Sequence, residues 1–303
     1  MSLLNLIRWK NLLMIALVQY LIKYALFKPF NVEITLNDFV FTLLVIATLC
    51  IAAAGNIIND IYDVETDLIN KPNKVIISKT ISEKAGLTYF IIFSVIGIGL
   101  GFYLSNFIGR SGFSAIFVII SALLYIYATY LKQTFLIGNI IVSALVGMGI
   151  IIVGLFELLP AITIQNQQLQ LTLFNILLDY ALFAFMINLL REIIKDIQDI
   201  DGDNKLEMKT LPIVIGRERA TKVVFGFSLI SLFAIVYYVI NYLYKQPVSV
   251  GYFIIFIIAP LFYFTIRVFN VETKKELQTL SNLLKLIMLT GILSILLYPF
   301  ILK

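Results

Sequence analysis

TLLVIATLCIAAAGNIINDIYDVETD, Thr42 to Asp67, runs through some twenty apolar residues and then sets four carboxylates into eight positions. An apolar run of that length is what a helix needs to cross a bilayer. The acids that follow stop it at a membrane edge. Nearly the same pattern returns at KDIQDIDGDNKLEMK, Lys195 to Lys209, again behind an apolar run. These two stretches decide how the rest of the chain is read.

Of the 303 residues, 60% are hydrophobic and 14% charged. A soluble domain is closer to half apolar and a quarter charged. With a mean hydropathy of +0.97, the chain reads as an all-α polytopic membrane protein. Spans and short loops account for its length, so one membrane domain over 1–303 is expected. The opening MSLLNLIRWKNLLMIALVQYLIKYALF lacks a small-residue cleavage site and reads as a first span that stays. There is no His, and the single Cys is Cys50. That excludes an internal disulfide, a Ser-His-Asp triad, and zinc, haem or iron–sulfur sites built on His and Cys. A metal site must be built on oxygen, which points to a hard cation such as Mg²⁺. The net charge of +5 reflects orientation in a membrane rather than a nucleic-acid partner.

Apolar runs near 11–30, 38–58, 87–108, 112–131, 136–156, 173–194, 221–244, 249–270 and 283–301 give nine spans. The turns fall at Lys28-Pro29, Gly109 to Gly112, the polar ITIQNQQLQ and Lys245 to Pro247. With the N-terminus cytoplasmic, 18 of the 23 Lys and Arg lie inside. Only Lys23, Lys28, Arg110, Lys245 and Lys303 are left outside. That bias supports nine spans and puts both acidic stretches at the cytoplasmic face of the cell membrane.

Seven of the nine Asp residues fall in the two stretches: Asp60, Asp63 and Asp67, then Asp196, Asp199, Asp201 and Asp203. Aligned, both read D-I-x-D with a further Asp four residues on, a pseudo-repeat four spans apart. Residues three, four and seven apart share a helix face, so 60/63/67 and 196/199/203 each form a carboxylate stripe. Such stripes repel themselves and call for a cation. Mg²⁺ held by one or two carboxylates and by phosphate oxygens satisfies that need, and two stripes together make a diphosphate clamp. A lone D-x-x-x-D at a span end is usually a solvated cap, but two matched copies are not explained that way. Asp60 and Asp201 are the least expected to reach a metal. Most of the inside cations are topology anchors or snorkelling side chains. Lys132 and Arg8 stand out because they flank the acidic face.

At these residues the chain resembles the UbiA superfamily of intramembrane prenyltransferases. Asn59, Asp60, Asp63 and Asp67 fit its N-D-x-x-D-x-x-x-D motif, and Asp199 and Asp203 its second, D-x-x-x-D. N-K-P-x-K resembles the family's N-R-P-x-R, with Lys71 and Lys74 in place of Arg. R-W-K-N keeps Arg8 and Asn11 of R-P-x-N but lacks the proline, and Tyr127, Lys132 and Asn139 match around the fourth span. The resemblance implies nine helices around a central cavity and transfer of a prenyl chain from a prenyl diphosphate to a lipophilic acceptor, with Mg²⁺. It implies that Asn59, Asp63, Asp67, Asp199 and Asp203 hold metal and diphosphate, while Lys132 and Arg8 bind the diphosphate. Asp60, Lys71, Lys74 and Asn11 line the same substrate, and Tyr127 and Tyr130 offer ring faces to an allylic cation.

Arg191 to Pro212 looks most like the branch that prenylates geranylgeranylglyceryl phosphate, with geranylgeranyl diphosphate as donor. An acceptor phosphate also accounts for the cations Arg191, Lys195, Lys205 and Lys209, and Asp196 and Asn139 are expected among the substrate-binding residues. An aromatic acceptor, as in quinone biosynthesis, is the alternative among enzymes. A transporter is the alternative outside them, but the acids lie at span ends, and the exception is Asp179, near the start of the sixth span, for which the sequence suggests no partner.

Overall fold

The computed structural model describes residues 2–301. Among them nine helical rods are long and apolar enough to cross a membrane. They are α1 Trp9–Phe30, α2 Asp38–Tyr62, α3 Glu83–Phe107, α4 Ser111–Thr129, α5 Ile137–Ala161, α6 Gln167–Lys205, α7 Arg217–Leu243, α8 Pro247–Phe269 and α9 Lys274–Phe300. No strand occurs among the described residues; one isolated bridge joins Ile77 and Ile81.

Local chemistry sets the ends. Asn37 caps α2 by accepting from Val40 N, Ser82 caps α3 by accepting from Ala85 N, and Thr273 with Glu276 forms a capping box at α9. Pro247 opens α8 at a position where its missing N–H costs nothing. At 39 residues α6 is about 58 Å long, so it overshoots the roughly 30 Å hydrocarbon layer. The second acidic stretch rides on that overhang.

Two compact units emerge. One comprises residues 1–19, 32–133 and 148–178, the other 20–31, 134–147 and 179–303. In the first, α2 is the central rod. Small residues let α3 and α4 close on it: the Gly97 Cα faces Ile51 and the Ala47 carbonyl, and Gly55 faces Leu124. In the second, Leu190, Ile193, Ile194 and Ile197 of α6 pack with Val224 of α7, Leu261 and Phe264 of α8 and Leu284 of α9. Large apolar side chains such as Phe233, Tyr237, Ile240 and Ile255 stay exposed. A lipid-facing surface has no reason to bury them. The chain is an integral, multi-pass membrane protein.

Three expectations shift. ITIQNQQLQ is only partly a loop, since α6 already starts at Gln167. Lys23, counted among the outside cations, is completely buried within α1. The first acidic stripe is not one helix: α2 ends at Tyr62, Asp63 turns the chain, and a short helix resumes at Val64–Asn70. The hydrogen bonds Asp63 N to Asn59 O (2.9 Å) and Asp67 N to Asp63 O (2.8 Å) carry the helical register through the turn.

Candidate active site

Each unit carries one acidic motif, and each is built by side chains from neighbouring elements. In the first, Asp63 is the hub. The Asn59 Nδ2 donates to its Oδ2 at 2.5 Å, the Thr66 hydroxyl donates to its backbone O at 2.9 Å, and the Lys132 ammonium pairs with its Oδ1. Lys132 follows the end of α4 in a 3-10 turn, Leu131–Gln133, and only 9% of its side chain is exposed. Three residues back on α2, Asp60 accepts from the Arg8 guanidinium at 2.6 Å. Asp60 is therefore an ion-paired anchor for Arg8. Asp67 lies on the short helix after the turn, and Lys71 and Lys74 follow it.

Tyrosines extend from this group. Tyr62 and Tyr125 meet edge to face with ring centroids 6.4 Å apart and hydroxyls 3.5 Å apart. Tyr127 is half-buried, while Tyr130, at the C-terminal cap of α4, is 65% exposed. Asn11 sits in the first turn of α1, its backbone N–H on the Arg8 carbonyl at 2.8 Å.

In the second unit the motif rides on a continuous helix. Asn139 of α5 donates to Asp196 Oδ2 at 2.7 Å, Ser143 donates to the Asn139 carbonyl, and Asn188 donates to Ser143 Oγ at 3.2 Å. All three partners are buried, so this polar ladder is closed off from solvent and fixes one Asp196 oxygen. Asp203 is buried, with Thr210 Oγ1 within 3.5 Å of its carboxylate. Asp199 is half-buried on the same helix. Asp201 pairs with Lys274 of α9 at 2.5 Å and is 63% exposed.

Sequence reasoning missed Glu192. It is buried, and it accepts from Lys195 through both oxygens (2.6 and 2.9 Å) and from Arg191 at 3.1 Å. Its signal was present as a carboxylate flanked by cations one and three residues away on a helix. Asn56, Thr66, Ser143 and Asn188 were missed too, because a neutral side chain in an apolar helix carries no pattern that marks its partner.

Among the described residues no three His, Cys, Asp or Glu side chains converge as a metal cluster. Mg²⁺ does not require one: it keeps waters and takes one or two carboxylates alongside phosphate oxygens. An all-oxygen donor set of Asp and Asn side chains fits that preference.

The sequence pattern of the UbiA prenyltransferase family matches residues 12–289. The chain belongs to this family. A digeranylgeranylglyceryl phosphate synthase of Methanosphaera stadtmanae is 33% identical over 258 residues, which cover 83% of this chain and 86% of that one. A solved structure of a digeranylgeranylglyceryl phosphate synthase aligns with a TM-score of 0.62 at 23% identity, covering 97% of this chain and 98% of that one. The UbiA homolog from Archaeoglobus fulgidus bound to DMAPP and Mg²⁺ aligns with a TM-score of 0.56 at 18% identity, covering 97% and 99%. At those identities the two structures establish a shared fold. As a UbiA family member the chain is a prenyltransferase.

Proposed function

We propose that this prenyltransferase moves a geranylgeranyl group from geranylgeranyl diphosphate to a hydroxyl of geranylgeranylglyceryl phosphate, in a Mg²⁺-dependent step of ether-lipid synthesis. The observation that carries the acceptor is the likeness to the Methanosphaera synthase over 83% of the chain. The likeness of Arg191 to Pro212 to that branch supports it. So does the charge of the acceptor: its phosphate suits the Arg191 and Lys195 cations that Glu192 holds together.

In this reading Asn59, Asp63, Asp67, Asp199 and Asp203 are the metal ligands. Bound Mg²⁺ would neutralise the diphosphate as it leaves. Lys132 and Arg8 supply fixed positive charge where the leaving group gathers its electrons. Lys71 and Lys74 add to that field from the following loop, and Asn11 lies one turn from Arg8. The bond between the prenyl C1 and the diphosphate oxygen breaks with its electron pair going to the diphosphate. The acceptor oxygen forms the new C–O bond and releases its proton. The ring faces of Tyr127 and Tyr130 steady the allylic cation as it develops. Asn139 holds Asp196 beside the second motif. The charge bias of the loops supports a single domain in the cell membrane with both motifs facing the cytoplasm.

The deciding experiment gives purified enzyme geranylgeranyl diphosphate and Mg²⁺ with either geranylgeranylglyceryl phosphate or 4-hydroxybenzoate. Ether product from the glyceryl phosphate alone is expected. Product from the aromatic alone would overturn the acceptor assignment and leave prenyl transfer intact.

A further inference from the structure

The chain enters α1 through an elbow, and the elbow is where Arg8 sits. The short helix Ser2–Leu6 precedes it, and α1 resumes at Trp9. Arg8 itself adopts φ +54°, in the left-handed region that side chains with a Cβ avoid. The bend redirects the hydrogen bonds. In an unbroken helix the Asn11 N–H would reach back four residues to the Ile7 carbonyl. Here it reaches back three, to the Arg8 carbonyl at 2.8 Å, and Leu12 N–H shares that oxygen at 3.3 Å. The Ile7 carbonyl is thereby released from the helix ladder. The Asn56 Nδ2 takes it up at 3.0 Å.

Asn56 stands on α2 one helical turn before Asp60, so the two share a face. One fixes the backbone just before Arg8, and the other holds the Arg8 guanidinium at 2.6 Å. Next to Asn56, Ile57 is fully buried and packs with the equally buried Leu6 of the short helix and with Ile77. The elbow is thus pinned at three points to the same two turns of α2: an apolar seat, an amide on a carbonyl, and an ion pair.

We infer that Asn56 is a positioning residue for the donor diphosphate, acting through the Ile7–Arg8 elbow to set the guanidinium. The inference rests on the reading that Arg8 binds that diphosphate. Asn56 makes no contact with substrate in this scheme; its amide replaces the helix hydrogen bond that a left-handed Arg8 gives up. It explains why an Asn lies in an apolar helix three residues ahead of the acidic motif. The elbow also places Trp9, the only tryptophan of the chain, next to Arg8.

The test compares Asn56→Leu, Arg8→Ala and the double variant in the purified full-length enzyme. Asn56→Leu keeps the volume and removes the donor. It should raise KM for geranylgeranyl diphosphate about threefold to tenfold, the worth of one hydrogen bond, with KM for the acceptor unchanged. Trp9 emission should shift in the same variant before any substrate is added. Arg8→Ala should raise the donor KM more, and adding Asn56→Leu to it should raise it no further. If Arg8→Ala leaves the donor KM unchanged, the diphosphate reading of Arg8 fails. If Arg8→Ala raises it while Asn56→Leu does not, or the two effects add, Asn56 does not act through Arg8 and the inference is wrong. Asn56→Ser, whose hydroxyl is too short to reach the Ile7 carbonyl, serves as the second variant should Leu prevent folding, and the same rise in donor KM is expected of it.

Discussion

The Lys132 ammonium is ion-paired with Asp63 Oδ1, joining the turn after α4 to the acidic end of α2. The lysine is nearly buried, and Asp63 also receives the Asn59 amide. A cation fixed this way needs no reorganisation when negative charge builds beside it, which is the condition for strong electrostatic stabilisation. Lys132→Met removes the charge and keeps the length. Its kcat should fall about a hundredfold or more, the usual cost of losing one preorganised stabilising group. Stability should change less than activity, since the Asp63 carboxylate keeps its bond from the Asn59 amide. Steady-state kinetics and a melting curve on the same preparation separate the two; native kcat in the variant would contradict the assignment.

The carboxylates should be essential for a different reason. On the proposed ligand set, Asp63→Ala and Asp199→Ala would each delete an oxygen donor for Mg²⁺, one from each motif, and both should abolish turnover in protein that still elutes as a folded species. Chelation with EDTA should do the same to native enzyme, and added Mg²⁺ should restore it. Turnover that survives EDTA would rule out metal-assisted departure of the diphosphate.

The two acidic motifs were legible because charge is conspicuous in a greasy chain and because they repeat. Nine spans were legible because an apolar run of bilayer length suits a membrane helix and little else. The break at Asp63 was not, since nothing between Asn59 and Asp67 is a helix breaker. The overhang of α6 was legible in part: its apolar run stops near 194, but the helical spacing of Asp196, Asp199 and Asp203 already carries the helix past the membrane edge. Glu192 was hidden by its place in a run already full of charge. Asn56, Ser143 and Asn188 carry no charge at all, and only their three-dimensional neighbours reveal what they hold.

Close helix packing in the first unit yields a paired prediction. A Cβ on Gly101 of α3 would lie 2.3 Å from the ring of Phe117 in α4. That ring is fully buried and meets Phe156 edge to face at 5.6 Å, so it has little room to yield. Gly101→Ala should destabilise by about 1–3 kcal/mol, the range for overpacking. Gly99, two residues away on the same helix, has nothing within 4 Å of its notional Cβ. Gly99→Ala should be neutral or stabilise by up to about 1 kcal/mol, because alanine loses less backbone entropy in a helix. Thermal unfolding of both variants in one detergent checks the sign difference.

The Asn139–Asp196 bond in the second unit separates structural from functional worth. Asn139 is buried, and its amide reaches Asp196 Oδ2 at 2.7 Å. Asn139→Leu leaves a buried carboxyl group without that donor and should cost about 1–3 kcal/mol, the range for a buried polar group left unsatisfied. Replacing both partners, in Asn139→Leu with Asp196→Leu, removes the stranded carboxyl group as well, so the double variant should recover much of the lost melting temperature. Activity should not follow. If Asn139 serves to aim Asp196 at substrate, the double variant stays as slow as Asn139→Leu or slower. Recovery of kcat along with stability would mean that the pair only holds α5 against α6.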